Sequence, residues 1–243
     1  MIVYTDEIEN RRLNVPRQTT VQFRNAHVVR VDVSGLSIDN FLATGSLFED
    51  CDFRGSAWRG GVLGDLPLVT FRGCDFDEAD LRGINPQFAR FEDCSFTNAL
   101  LDEWPAICAE FVHCTFAGRL LRVKFSGRPL GIGRARVERE RSVNAFVDND
   151  FRAADLVDCS IVGGIDLNAN LWPENPDYLV IKSAGARIAA AKQKMARMPA
   201  DTINKPEAEA VLRVYSMMGF QFQHDLLVRK SELGAVAELL MDP

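Results

Sequence analysis

A large apolar residue recurs at every fifth position over most of this chain, and few folds can accommodate such a beat. Four stretches show it most plainly: Phe48-Glu-Asp-Cys-Asp-Phe53, Phe71-Arg-Gly-Cys-Asp-Phe76, Phe91-Glu-Asp-Cys-Ser-Phe96 and Phe111-Val-His-Cys-Thr-Phe116. A fifth, Phe146-Val-Asp-Asn-Asp-Phe151, keeps both Phe and carries Asn for Cys. Their starts lie 23, 20, 20 and 35 residues apart. Upstream the beat runs Phe23, Val28, Val33, Ile38, Ala43, Phe48, and it resumes late at Phe146, Phe151, Leu156, Ile161. Such a period fits neither a helix at 3.6 nor a strand at 2. It fits a chain that turns a corner every five residues, so that four quintets close one square coil. Stacked coils then set residues 20 apart over one another, about 4.7–4.9 Å apart.

The columns are chemically pure. One reads Phe48, Phe71, Phe91, Phe111, Phe146; the next Phe53, Phe76, Phe96, Phe116, Phe151; the third Trp58, Leu81, Leu101, Leu121, Leu156. A fourth, Leu63, Pro86, Ala106, is weaker. Two residues before each centre sits a small residue, as at Cys51, Cys74, Ala79, Cys94, Ala99, Cys114, Ala154 and Cys159. Ala79-Asp80-Leu81-Arg82-Gly83 and Ala154-Asp155-Leu156-Val157-Asp158 resemble the A(D/N)LXX units of the pentapeptide-repeat family. The resemblance implies a mainly β chain, a right-handed quadrilateral β-helix over residues 21–168, with 1–20 as a lead-in or cap. It makes six to seven coils, a rod of about 30 Å. A small α-helical segment, 169–243, follows.

The other chemistry-bearing residues fit packing better than catalysis. Cys51, Cys74, Cys94, Cys114 and Cys159 occupy the small inward slot, where a thiol acts as a compact hydrophobe. Cys108 lies off that slot and is expected to be exposed. No CxxC pair occurs, so no metal site is expected, and unpaired cysteines point to a reducing, cytoplasmic setting. His113 adjoins Cys114, but strand alternation sends the two to opposite faces. GxSxG, HExxH and P-loop patterns are absent, and Gly131-Ile-Gly133 lacks the third Gly of a dinucleotide fingerprint. No cofactor is expected. No apolar run approaches the ~20 residues of a membrane span, and Asp6, Glu7 and Glu9 stand where a signal peptide would be basic and then apolar.

Charge is distributed in blocks. The chain carries 28 Lys+Arg against 34 Asp+Glu, a net −6 that argues against direct nucleic-acid binding. Residues 39–110 hold 14 acidic and 5 basic residues. Stacking places Glu49 and Glu92 in one column interrupted by Arg72, Asp50 and Asp93 in another, and Asp52 and Asp75 in a third. With Asp77 and Glu78 these make a candidate acidic strip for a partner. Residues 119–141 hold 8 basic and 2 acidic residues. The beat fails there, with Ser126, Gly131, Arg136 and Arg141 where Phe or Leu belongs. Residues 126–145 are therefore expected to project as a loop or degenerate coil, with Arg128, Arg134, Arg136, Arg139 and Arg141 as a second candidate binding set. A smaller bulge is expected at 64–70.

Beyond Asn168 the pattern becomes helical. Asn175-Pro176 reads as a helix start, and Ile181, Ala184, Ile188, Ala191, Met195 and Met198 form one stripe on a helix over 177–198. Lys205-Pro206 opens a second helix carrying Val211, Leu212, Tyr215 and Met218, with Gly219 as its stop. A third lies within 222–240, broken near Ser231. These helices are expected to cap the rod's open strand edges or to form a homodimer.

Three functions follow as expectations. Relatives of known role, the Qnr-type and mycobacterial fluoroquinolone-resistance proteins, act on DNA gyrase and topoisomerase IV by presenting a DNA-like acidic rod. The resemblance therefore implies a non-catalytic protein that docks on a partner protein, a type II topoisomerase being one. This chain departs from that pattern through Arg72, Arg82, Arg90 and its helical tail. An immunity or antitoxin protein that occludes a basic toxin is the alternative. An enzyme with its site in the helical region or at the rod–helix junction around Trp172 and Tyr178, in a pocket lined by a shifted carboxylate or His224, is the third.

Overall fold

The computed structural model describes residues 1–16, 19–131, 133–199, 204–217 and 220–241. The chain winds into a four-faced β-helix. Its longest sheet is parallel and seven-stranded, and joins Glu7–Glu9, His27–Val29, Leu47–Glu49, Thr70–Arg72, Arg90–Glu92, Glu110–Val112 and Phe146–Val147 in sequence order. The register is the one the beat dictates, with Phe48 opposite Phe71, Phe71 opposite Phe91, Phe91 opposite Phe111 and Phe111 opposite Phe146. Counting faces along the chain, the first carries Phe23, Ala43, Leu63 and Ala106 inward, and the second Val28 and the Phe48 column. The third carries Val33 and the Phe53 column, and the fourth Ile38, Trp58, Leu81 and Leu101. All are buried.

Stacked rings fill the interior. On the second face the centroids of Phe48, Phe71, Phe91 and Phe111 are 4.6, 5.2 and 5.1 Å apart. On the third, Phe53, Phe76, Phe96, Phe116 and Phe151 follow at 4.7, 5.1, 5.0 and 4.5 Å, with planes within 6° of parallel. Trp172 closes that column 4.9 Å beyond Phe151. The slot cysteines point their thiols at carbonyls of the coil below: Cys94 at Phe71 O, 3.4 Å, and Cys114 at Phe91 O, 3.5 Å. Asn149, which replaces Cys, is fully buried and satisfied: its Oδ1 accepts from Cys114 N and its amide donates to Phe111 O.

The corners explain the Asp of the repeat. A carboxylate or amide oxygen accepts the backbone N–H two residues on, from Asp32 to Ser34, Asp52 to Arg54, Asp75 to Asp77, Asp80 to Arg82 and Asp150 to Arg152. This is the local turn that Asp and Asn favour. The residue at the corner itself takes positive φ, as at Asn10, Arg30, Asp50, Gly73, Asp93, His113 and Asp148 between the second and third faces.

Several expected boundaries move. The coils begin at Ile2 rather than at residue 21: Ile2–Tyr4 pairs with the strand at 20–24 and Glu7–Glu9 with that at 27–29, and Ile8 and Leu13 are buried. On the fourth face, in the Trp58 column, Leu120, fully buried, replaces Leu121, because the chain takes the corner at Gly118 one residue short and pairs Leu120 with Leu156. The beat then runs Leu120, Phe125, Leu130, all buried, so it does not fail at Ser126 but arrives one residue early.

Residues 126–145 fold back on the rod. Their short helix α1 (Arg134–Val137) buries Val137 against Phe88 and Cys108, with Leu66, Leu68 and Ile107 packed alongside. The 64–70 bulge leaves the rod at the same corner, between the first and second faces, and Arg136 reaches Asp65 at 2.6 Å. Cys108 is thus covered rather than exposed, and burial raises its pKa. A buried ion cluster closes the excursion: Glu110 Oε2 meets Arg90 at 3.2 Å and Arg141 at 3.0 Å, while Glu110 Oε1 accepts Ala145 N at 2.8 Å.

The C-terminal segment departs most from expectation. Tyr178–Ile181 is a strand, not the start of a helix, and pairs antiparallel with Leu226–Arg229 inside the expected third helix. Both runs are rich in β-branched and large apolar residues, which suit a half-buried strand. Helices α2 (Ala184–Ala196), α3 (Lys205–Val214), α4 (Lys230–Leu233) and α5 (Ala237–Met241) surround this ribbon. Ile181, Ala184, Ile188, Ala191, Met195, Ala208, Leu212, Leu226 and Leu233 build a core separate from that of the rod. Met218 and Gly219 lie outside the described residues.

This unit caps the rod by imitation. Within the stack, the Trp58 and Leu81 amides donate to carbonyls of the following coil, Asp80 O and Leu100 O, and the Arg122 amide donates to Val157 O. At the last coil the corresponding amides find side chains instead. Leu156 N donates to Tyr178 Oη at 2.8 Å and Asp158 N to Glu232 Oε1 at 2.9 Å. Gly164 N and Ile165 N both donate to Gln223 Oε1, at 3.0 and 3.1 Å.

Two substitutions test this architecture. Phe96→Asp buries a carboxylate inside a ring stack and is expected to destabilise the rod by about 5 kcal/mol or more, read as loss of the β signature in circular dichroism. An unchanged spectrum and melt would refute the column assignment. Glu110→Ala removes the carboxylate that neutralises the half-buried Arg141 guanidinium and leaves it only neutral acceptors, at an expected loss of about 3 kcal/mol, with faster proteolysis across 126–145. An unchanged melt would show that the cluster does not hold the excursion.

Candidate partner-binding surface

The expected acidic strip divides in two. Glu49 and Glu92 belong to the second face, where they are neutralised. His27 Nδ1 lies 3.7 Å from Glu7 and its Nε2 2.6 Å from Glu49; Arg72 then bridges Glu49 at 2.9 Å and Glu92 at 3.0 Å. Arg90 continues the file from Glu92, 2.6 Å, to Glu110. The hydrogen bond from His27, helped by Arg72, holds the Glu49 carboxyl below its ordinary range. Burial pulls Glu92 upward, but Arg90 and Arg72 together outweigh it and lower its pKa. This ladder is alternating charge, not an acidic surface.

The other six, Asp50, Asp52, Asp75, Asp77, Glu78 and Asp93, lie on the third face or on the two corners that bound it. Asp50 and Asp93 occupy one corner at positive φ and Glu78 the opposite one. Asp50 and Glu78 are exposed and make no ion pair among the described residues. Asp77 accepts from Ser95 Oγ and, at 2.7 Å, from Thr97 N, which fixes its carboxylate over the face. Asp52 is engaged by Arg54 at 2.6 Å, whose hydrogen bond lowers its pKa, whereas burial raises that of Asp75. A shallow hollow of about 520 Å³ opens on the far corner, lined by Ser34, Gly35, Arg54, Gly55, Asp77 and Glu78.

The face extends further than expected. Asp148 and Asp150 stand in register beyond Asp93 and Thr115, and His113 sits between Asp93 at 3.4 Å and Asp148 at 3.2 Å. Aligning Phe146-Val-Asp148-Asn-Asp150-Phe151 on Phe48-Glu-Asp50-Cys-Asp52-Phe53 would have found both. Between the coils of Asp50 and Asp148 the face and its corners thus hold eight carboxylates against Arg54 and Arg152. From Asp50 to Asp148 the rod rises roughly 19 Å at ordinary strand spacing. That is one excess negative charge per about 3 Å, roughly half the density of a duplex, which carries one per ~1.7 Å.

The basic set does not gather into one patch. Arg128 lies over the Phe222 ring at 5.4 Å and Arg134 pairs with Glu138. Arg136 covers Phe88 at 5.3 Å while holding Asp65, and Arg141 is buried against Glu110. Arg139 alone of the five is exposed and without a partner among the described residues.

At the junction the space around Trp172 and Tyr178 is filled, whereas that around His224 is open. Trp172 is stacked on Phe151, and Tyr178 Oη is engaged by Leu156 N and donates to Asp155 at 3.3 Å. The gap beside Tyr178 measures about 10 Å³, no larger than one water needs. His224 lies instead on a 250 Å³ hollow with Phe222, Asp166 and Asp225. Its Nδ1 meets Asp225 at 2.7 Å, and Asp225 also accepts from Lys182 Nζ at 2.6 Å and Ser183 N at 3.0 Å. Among the described residues no group of His, Cys, Asp and Glu has the arrangement of a metal site, and no helix is long and apolar enough to cross a membrane.

These bonds, that from Lys182 first, hold the Asp225 carboxyl at about 2 rather than its ordinary 3.8. A depressed carboxyl stabilises the fold above its unfolded value and loses that contribution as pH falls. The stability advantage of the wild type over Asp225→Asn is therefore expected to disappear between 3.8 and about 2. An advantage that persists below that window would show that Lys182 and Ser183 do not act through the carboxylate.

Residues 70–103 match the family model described as pentapeptide repeats (8 copies). No curated protein sequence matches the chain. Among solved structures, full-length QnrB1, a plasmid-mediated fluoroquinolone resistance protein, is 16% identical; 70% of this chain and 91% of that one are covered, at a TM-score of 0.24. A trypsin-treated variant of QnrB1 is 17% identical over 65% of this chain and 90% of its own, at 0.22. Superpositions that loose carry no argument, and the case rests on the repeat match, the register and the columns. On that basis the chain is a β-helix that carries pentapeptide repeats at residues 70–103.

Proposed function

We propose that this chain is a non-catalytic binding protein whose third face docks on a cationic surface of a partner protein. One observation carries the reading: Asp50, Glu78, Asp93 and Asp148 stand out on a rigid face with more carboxylates than the arginines there can neutralise. Because the strands beneath are locked in register, these carboxylates are held in place before binding, which reduces the ordering that association requires. Clustered acid also steers a basic partner toward the face. DNA mimicry toward a type II topoisomerase is the narrower form of this reading, and it asks for a charge density about twice that of the third face.

The triple substitution Asp50→Lys, Glu78→Lys and Asp93→Lys tests both levels, because none of the three makes a turn-forming hydrogen bond that the rod depends on. Capture of a partner from cells of origin is expected to be salt-sensitive and to be lost in the triple variant, with the thermal melt little changed. Capture that survives charge reversal would overturn the third face as the binding surface. With purified gyrase, inhibition of supercoiling by the wild type but not the variant would support the narrower form, and no inhibition would remove it.

A further inference from the structure

We infer that the C-terminal unit, residues 178–241, is a displaceable lid that undocks from the rod as a folded body and uncovers the edge of the last coil. The unit has its own apolar core, distinct from that of the rod. Among the described residues, Tyr178 and Leu227 are the hydrophobic residues of the unit that pack against the core of the rod, beside Trp172 ahead of it. Polar contacts supply most of the seam: Tyr178 Oη, Glu232 Oε1 and Gln223 Oε1 receive four amides of the rod, and Gln223 Nε2 donates back to Ile165 O at 2.6 Å. Arg229 ties the ribbon to the rod through Asp155 at 3.1 Å, and to Asp177, the residue just ahead of the unit, at 2.9 Å.

Such a seam can open as a whole. Water can replace each side-chain acceptor, whereas in the stack a lost carbonyl would break the coil. Opening leaves both apolar cores intact, so its free energy lies below that of global unfolding. Opening would expose four backbone amides of the last coil, at Leu156 in its strand and at Asp158, Gly164 and Ile165 on its corners, together with Cys159 and Ile161. An edge of that kind accepts an added strand, so the lid governs whether the rod can be extended.

Cys159 is a built-in reporter. It is half-buried beside Leu156, Ile161, Tyr178 and Leu227, and burial pushes its thiol up to about 12. Cys94 and Cys114, inside the rod, are buried and remote from the seam. In the wild-type full chain, a small thiol reagent is expected to label Cys159 much faster than Cys94, with a shallower dependence on urea, since undocking exposes less surface than unfolding. Gln223→Ala is expected to speed Cys159 labelling about tenfold, with Cys94 unchanged. Amide exchange at Leu156 and Asp158 is expected to be faster than at Ala191 and Leu212 in the core of the unit. Equal labelling rates and urea slopes for Cys159 and Cys94 would overturn the lid. Exchange of Ala191 and Leu212 together with Leu156 would also overturn it, since the unit would then be unfolding in place.

Discussion

In-register parallel stacking governs this molecule: every residue has its counterpart from the next coil directly above it, about 4.8 Å away. For aromatic rings this spacing is favourable, and the Phe columns exploit it with nearly parallel planes. For carboxylates it is not. Two like charges at that separation repel by about 1 kcal/mol in bulk water and by 3–4 kcal/mol at an effective dielectric near 20. A pure acidic column therefore cannot run far. The second face resolves the conflict by alternation, Glu49–Arg72–Glu92, and the third by interruption, with Gly73, Ser95 and His113 between acids. Asp52 and Asp75, which do stack, share Arg54 at 2.6 and 3.6 Å.

The same rule makes ending the stack a problem, because a coil with no successor leaves a row of backbone groups unpaired. At its C-terminal end the chain answers with side chains that stand where carbonyls would. Tyr178, Gln223 and Glu232 come from three separate places in the sequence, and the antiparallel ribbon with its helices brings them to one edge. The helical tail thus belongs to the logic of the rod, although its sequence shares nothing with the repeat.

How much could be read in advance follows from which interactions are local. The rod was legible because its constraint repeats: a residue type imposed at Phe48 is imposed again at Phe71, Phe91 and Phe111. The first coil was not, because Ile8 and Leu13 carry the beat without Phe or Cys to mark it. The one-residue shift at Gly118 hid Leu120 and Phe125, since a fixed period has no means of registering a shortened corner. Apolar residues off the beat, Phe88, Ile107, Cys108 and Val137, were the overlooked sign that 126–145 is covered. Half of the site was legible as well: acid could be placed in columns, but whether an arginine such as Arg72 reaches two of them depends on side-chain geometry. In the tail, the apolar periodicity of Ile181 and Ala184 fitted a helix as well as it fitted a strand followed by one. The pairing with Leu226–Arg229, distant in sequence, decided between them.

Both departures from the regular coil, at 64–70 and 126–145, leave at the corner between the first and second faces and meet each other there. The other three corners carry no insertion longer than a residue or so between Phe23 and Leu156. The rod therefore has a single seam along its length. Foreign peptide spliced at that seam, between Gly127 and Asn144, would be displayed away from the third face, so this protein could serve as a display scaffold whose acidic face stays undisturbed.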